Sequence, residues 1–409
     1  MFDSPCSLLL LLLQTLNSGL DTSLKMTKGL TRGHLWKSSN ENVLQVVDHE
    51  REAEFEGDPK LLDAHNLSFE RSPVGIELFQ IVAGNSNYAL ANKIASQLGI
   101  SISEAECNRF NDGECSIKLG ESVRNTHVFV LQSICPGRTS DRTINDHLME
   151  LFLLVRCMKR ASASRVTAIL PYYGYARQDE KTKPRVPIAA SDVAMLLEAG
   201  GVDRILAVDL HSAQIQGQFQ HCPVDNLSMF EDMAEFFMRN FYNKLGSDAE
   251  ITIVSPDADG TPRAKFFMGL LIDQGIENVS LAITIRQKSS NSIVVNLVGD
   301  IVGKHCIIVD DIIDTGSRVC TAAETLIELG AKSVGAFASH GVFSGKALLK
   351  IEASNLDYVV VSDSIPVVSD IRSYTTKVVQ VSCAALISEA IHSIMTGHQV
   401  EHLYSIGTE

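Results

Sequence analysis

Asp310 and Asp311 stand side by side behind an apolar run, His305-Cys306-Ile307-Ile308-Val309, and are followed by Ile312-Ile313-Asp314-Thr315-Gly316-Ser317-Arg318. Two such carboxylates accept hydrogen bonds from sugar hydroxyls or hold a hydrated metal, and they repel phosphate. The small-residue loop beside them does the opposite. Its N–H groups, with a helix N-terminus behind them, point at an anion. The combination suits a bound phosphate with sugar hydroxyls or a hydrated metal next to it. An ordinary strand–turn–helix joint is the bland alternative. Against it stands the cost of leaving two acids without partners beside a buried strand.

The elements that position these residues are legible. The run of β-formers reads as a strand buried on both faces, with the acids ending it. Val319, Ala322, Ala323, Leu326 and Ile327 form the apolar stripe of a helix that Gly330 stops. The strand's carboxyl end is where α/β sheets bind ligands. About one hundred residues earlier, the strand from Arg204 ends in Val208-Asp209-Leu210-His211. The repeated layout suggests a duplicated fold in which only the second copy kept the phosphate loop. Further strands are expected over 77–84, 127–133, 251–257, 358–362 and 377–381, and helices over 87–98, 144–162, 228–246 and 384–395. The turn Asn111-Asp112-Gly113 predicts a hairpin tip. The pattern as a whole gives an α/β fold of two similar domains, each a mostly parallel sheet flanked by helices.

The chain has 409 residues and an apolar fraction of 45%, enough for two cores. Its net charge of −14 argues against nucleic acid as a partner. Nine cysteines without a C-x-x-C pair or zinc spacing fit free thiols in a reducing compartment, the cytoplasm. No apolar run is long enough for a membrane helix. Residues 1–75 differ from the rest. Leu8 to Leu13 is too short and too acidic in its lead-in for a signal peptide. Lys25, Lys28, Arg32, His34 and Lys37 precede any further acid, which leaves an organellar address as the alternative to a plain disordered extension. Residues 46–62 are rich in acids and read as a solvated linker.

Val309-Asp310-Asp311-Ile312-Ile313-Asp314-Thr315-Gly316-Ser317 resembles the PRPP-binding loop of type I phosphoribosyltransferase folds. From about Ile76 onward the chain resembles the ribose-phosphate diphosphokinase (PRPP synthetase) family. Its pieces include Asn-Asp-His-Leu-Met-Glu-Leu at 145–151, Tyr-Ala-Arg-Gln-Asp at 175–179, Asp-Leu-His at 209–211 and Ser-Pro-Asp-Ala at 255–258. The resemblance implies two phosphoribosyltransferase-like domains, 76–227 and 228–385, and a final segment 386–409 that packs back on the first. It implies ATP and ribose 5-phosphate as substrates, magnesium as cofactor, and an oligomer whose ATP site is shared between subunits. That oligomer is made of like chains or, alternatively, joins other synthetase subunits. Phe110 would stack on adenine, with Asp112 and Glu114 accepting from its amine. Arg177 and Gln178 would contact ATP, and His211 and Asp257 would hold magnesium. Asp310 and Asp311 would take the ribose hydroxyls, and Asp314, Thr315, Gly316, Ser317 and Arg318 the 5-phosphate. Arg286 would stabilise the charge developing in the transfer.

Four places depart from the family pattern. Thr284 stands where a flap lysine is expected, and Lys288 is the candidate replacement. Asp259 replaces a glycine. Arg318 takes the place of a hydroxyl residue in the phosphate loop. The loop from Cys135 to Arg142 is longer. The first three point to an alternative, a catalytically impaired subunit that regulates active synthetases. A phosphoribosyltransferase that consumes PRPP is the remaining reading, and it has no use for the Phe110 or Arg177-Gln178 loops.

Overall fold

The computed structural model describes residues 78–137, 141–246, 248–288, 293–368, 371–398 and 403. The extension expected over 1–75 lies outside them.

The first sheet contains β1 (Phe79–Ala83), β2 (Ile102–Ser103), β5 (His127–Leu131), β6 (Arg165–Leu170), β7 (Arg204–Val208) and β8 (Val224–Leu227) in the order β2-β1-β5-β6-β7-β8. All of its pairings are parallel. A separate antiparallel hairpin, β3 (Ala105–Arg109) and β4 (Cys115–Leu119), carries the Asn-Asp-Gly turn. The second sheet contains β9 (Ile251–Ser255), β10 (Val279–Lys288), β11 (Ile293–Val298), β12 (His305–Ile313), β13 (Ser333–Gly341), β14 (Tyr358–Ser362) and β15 (Val378–Val381). Its order is β11-β10-β9-β12-β13-β14-β15, antiparallel only between β10 and β11.

Numbered along the chain, the parallel strands of each sheet fall in the spatial order 2-1-3-4-5-6. The halves are therefore alike, as the sequence suggested, but the register of the likeness differs. β7 is the fifth parallel strand of its sheet and corresponds to β14, not to β12. The counterpart of the loop after β12 is the segment after β5. Sequence spacing misled here because Val-Asp recurs at two strand ends that occupy different places in the sheet.

A second correction concerns the paired acids. β12 does not end at them. It runs on to Ile313, because β13 continues alongside it to Gly341. Asp310 pairs in register with Ala338 and Ile312 with His340. The acids are thus interior to a strand.

The longer α-helices among the described residues are α1 (Tyr88–Gln97), α2 (Ile144–Arg160), α3 (Ala189–Gly200), α4 (Phe230–Phe237), α5 (Thr261–Asp273), α6 (Ser317–Glu328), α7 (Ala347–Glu352) and α8 (Ala384–Thr396). The Asn87 side chain caps α1, and Thr143 and Asp146 form a capping box on α2. The helix expected over 228–246 is interrupted. After Phe237 it widens into a π turn, Met238–Tyr242, which lets Phe241 stack on Tyr358 with ring centroids 3.8 Å apart.

One hydrophobic core takes side chains from both sheets. Ile81, Phe129 and Leu206 of the first join Ile253, Ile307 and Phe337 of the second, with Phe230, Met233 and Phe237 of α4. α8 packs on α1, where Ser388 Oγ donates to Gln97 Oε1 at 2.9 Å. Thr284 is a third correction. It lies wholly buried within β10, its hydroxyl donating to the Ser255 carbonyl at 3.3 Å, so it fills a packed strand position and not an open flap.

Candidate active site

Asp310 and Asp311 are 6% and 3% exposed, and carboxylates so buried need partners. Asp311 Oδ2 receives His211 Nδ1 at 2.5 Å, and Arg263 Nη1 lies 3.5 Å from Oδ1. Arg263 also donates to the His211 carbonyl at 3.3 Å. Asp310 Oδ1 accepts the Asp311 N–H at 3.0 Å, and Arg318 Nη1 lies 3.7 Å from Oδ2. Burial works to raise the Asp311 carboxyl, but the His211 bond and the Arg263 charge outweigh it and hold it well below the usual range. The same bond raises the His211 imidazole. Burial, then the neighbouring Asp311 charge, pushes the Asp310 carboxyl up. The two adjacent acids are thus shifted in opposite directions, Asp311 down by its cationic partners and Asp310 up by burial.

Gly316, at φ 73°, is the N-cap of α6, and no side chain caps that helix. A helix N-terminus without a side-chain cap is a natural place for an anion. The loop is braced from below. Lys350 Nζ of α7 donates to Ser317 Oγ at 2.8 Å and to the Thr315 carbonyl at 3.3 Å. A Cβ on Gly316 would come within 3.4 Å of the Ala347 carbonyl, so loop and helix touch. Arg177 reaches across from the first half to Asp314 Oδ2 at 2.7 Å. Asp310 to Gly316 and Arg318, with Arg177 and His211, line a cavity of about 160 Å³.

Arg318 closes one side of this cavity. Its guanidinium donates to Asp257 Oδ2 at 2.7 Å, while Oδ1 accepts the Gly260 N–H at 2.9 Å. Both oxygens of Asp257 are therefore engaged. His211 keeps only Nε2 for another partner. Among the described residues no group of three or more His, Cys, Asp or Glu is placed to hold a metal. As arranged, Asp257 meets Arg318 and the Gly260 N–H, so a magnesium ion held by His211 and Asp257 would require Arg318 to turn away. Arg318 supplies at Asp257 the positive charge expected of a metal.

The other expected site residues are placed as follows. Phe110, Asp112 and Glu114 form the hairpin tip, closed by Phe110 N–H to the Glu114 carbonyl at 2.9 Å. Phe110 is 58% exposed, and the tip is not part of the cavity lining. Gln178 is exposed on the Arg177 loop. Asp179 ties that loop to the one after β7 by accepting from Ser212, and Gln218 Nε2 donates to its carbonyl at 3.0 Å. Arg286 and Lys288 lie on β10, opposite Val295 and Ile293 of β11.

Residues 79–201 match the family model for the N-terminal domain of ribose phosphate pyrophosphokinase, and 272–405 match that of the phosphoribosyl synthetase-associated domain. Ribose-phosphate pyrophosphokinase of Vibrio cholerae is 42% identical over 331 residues, 80% of this chain and 99% of that protein. The chain belongs to the ribose-phosphate pyrophosphokinase family. The protein of the same name from Caldanaerobacter subterraneus is 41% identical over 328 residues, 80% of this chain and 98% of the other. The crystal structure of phosphoribosylpyrophosphate synthetase from Mycobacterium smegmatis superposes with a TM-score of 0.70 at 34% identity, covering 78% of this chain and 99% of that one.

Within this pyrophosphokinase fold, two side chains of the site escaped the sequence reading. Arg263 sits in the first turn of α5, where a cation opposes the helix dipole. That mismatch was a readable signal of a carboxylate partner elsewhere. Lys350 gave no signal, since a lysine on a short exposed helix is ordinary.

Proposed function

We propose that this chain transfers the diphosphoryl group of ATP to the anomeric hydroxyl of ribose 5-phosphate, giving PRPP and AMP. The observation that carries the reading is the cavity itself. A buried acid pair and an uncapped helix N-terminus share it, and Arg177 and His211 enter it from the other half. In this reading the 5-phosphate rests on the N–H groups of Thr315 to Arg318, and Asp310 and Asp311 take the ribose hydroxyls. The anomeric oxygen attacks the β-phosphorus, and the bond from that phosphorus to the α-phosphate oxygen breaks. Such transfers depend on positioning and charge stabilisation. Arg177 and Gln178 serve the triphosphate, and Arg286, with Lys288 as the second cation, meets the developing charge. His211 and Asp257 are proposed to face the magnesium ion, which when bound neutralises triphosphate oxygens. Asp257 becomes available to it when Arg318 turns to a substrate phosphate.

Phe110, Asp112 and Glu114 are proposed to serve the adenine of a neighbouring subunit in a homo-oligomer. Their exposure at a hairpin tip supports this. No described helix is long and apolar enough to cross a membrane. The eight described cysteines form no disulfide, which supports a reducing compartment such as the cytoplasm.

A second reading rests on the Arg318–Asp257 pair, which ties up an acid of the site. It makes the chain an impaired subunit that regulates active partners. AMP formation by the purified chain alone, with ATP, ribose 5-phosphate, magnesium and inorganic phosphate, decides between them. Turnover without a partner supports the enzyme; none, with turnover on adding an active relative, supports the regulatory subunit.

A further inference from the structure

His211 faces Asp311 because the chain turns sharply at the end of β7. Asp209, the first residue past the strand, has φ 39°, in the left-handed region where a residue with a Cβ is strained. The repeated fold supplies an internal comparison. Asp363 stands at the same place after β14. Asp209 N–H donates to the Leu227 carbonyl at 2.8 Å, and Asp363 N–H to the Val381 carbonyl at 3.0 Å. Each carboxylate accepts the N–H of the residue twenty positions on, Met229 at 3.0 Å and Cys383 at 2.8 Å. Yet Asp363 is not among the described residues with positive φ. Shared strand-end architecture therefore does not require the strain. It occurs in the half whose turn must deliver His211.

What holds the strained residue comes from the other half. Ser339 Oγ donates to Asp209 Oδ2 at 2.7 Å, and His340 Nε2 lies 3.1 Å from the Asp209 carbonyl. A carbonyl only accepts, so Nε2 carries the proton. Nδ1 sits 2.8 Å from Ser364 Oγ, which fixes the far edge of the ring. The imidazole is 2% exposed, and burial keeps it neutral. Its ring meets Tyr172 edge-on at 5.1 Å, at the root of the Arg177 loop. In the sheet it pairs in register with Ile312, the residue after Asp311. At Asp363 the corresponding carbonyl is met by Asn87 Nδ2 at 2.8 Å, with no histidine.

We infer that Ser339 and His340 are positioning residues, which clamp the backbone at Asp209 and thereby present His211 to Asp311. Neither touches the cavity. The consequence for catalysis rests on the reaction proposed above; the consequence for His211 does not.

The test uses the full chain and three variants, His340→Leu, His340→Gln and Ser339→Ala. Kinetics give kcat and KM. Modification of His211 by diethyl pyrocarbonate, followed by peptide mass spectrometry, reads its placement without catalysis. His340→Leu is expected to lower kcat about a hundredfold, the scale of a misplaced group, with KM changed less than about twofold, and to speed His211 modification several-fold. His340→Gln, which keeps a donor, is expected to recover most of both. Ser339→Ala, a smaller lesion, is expected to shift modification in the same direction and decides the matter if His340→Leu fails to fold. Folded variants whose His211 reacts at the wild-type rate overturn the clamp. An inactive wild-type chain whose His211 is nonetheless released by the variants overturns the reaction and leaves the clamp standing.

Discussion

Arg318 and Asp257 are 47% and 39% exposed, so their ion pair is screened and contributes little to stability. Arg318→Thr should therefore change the unfolding free energy by less than about 1 kcal/mol. Its effect should appear in the magnesium requirement, because Asp257 is released. The concentration of magnesium for half-maximal AMP formation is expected to fall; an unchanged titration would separate Arg318 from that acid. The neighbouring carboxylates behave differently. Asp311→Asn leaves His211 and Arg263 without their buried counter-charge and should cost about 3–5 kcal/mol. Asp310→Asn replaces a carboxyl already pushed toward its neutral form and should cost under about 1 kcal/mol. Thermal melts of the two single variants check the contrast, and equal losses would contradict the opposite shifts of the two acids. The Asp311–His211 pair also sets a pH window. Asp311, lowered in the fold, contributes stability above the ordinary carboxylate value, lost as pH falls through its folded value. His211, raised, contributes stability fully present below the ordinary histidine value and lost as pH rises through its folded value. The stability difference between wild type and His211→Asn should be larger near about pH 5.5 than near about pH 9, measured by denaturant midpoints. A difference independent of pH would mean that folding leaves the His211 imidazole unshifted.

Among the elements, β12, the phosphate loop and α6 were legible because they are contiguous and each carries its own signal. The β-run, the small-residue turn and the helical stripe need no distant residue to be recognised. What was not legible came from other elements. The burial of Thr284 depends on β9 lying beside β10. The extension of β12 past its acids depends on the length of β13. The opposite shifts of Asp310 and Asp311 depend on His211 after β7 and Arg263 on α5. No local pattern encodes which of two adjacent acids a remote cation will meet. The support of the loop by α7 belongs to the same class and can be tested. Lys350→Met removes both donors while keeping the aliphatic stem. It should raise KM for ribose 5-phosphate several-fold with little change in kcat or in the melt. An unaltered KM would show that α7 only fills space beneath the loop.

On the scale of the whole molecule, the two sheets share one core and the site lies across both halves, yet the Phe110 hairpin stands outside the cavity. If neighbouring chains lend that hairpin to each other, two crippled variants should complement. Phe110→Ala lacks the ring and Asp310→Asn lacks the ribose acid. Co-assembled, they should form some sites with neither lesion and recover AMP formation that each lacks alone. A mixture as inactive as its components would place the whole site within one chain. The packing of α8 on α1 has a consequence of another kind, one of timing in the cell. Gln97 and Ser388 are 291 residues apart; at about 5–20 residues per second, α1 leaves the ribosome roughly 15–60 s before the helix that covers it. Until then the nascent first half carries an uncovered apolar surface. Its need for a chaperone should therefore rise when translation slows between α1 and α8, although no residue of the finished protein has changed.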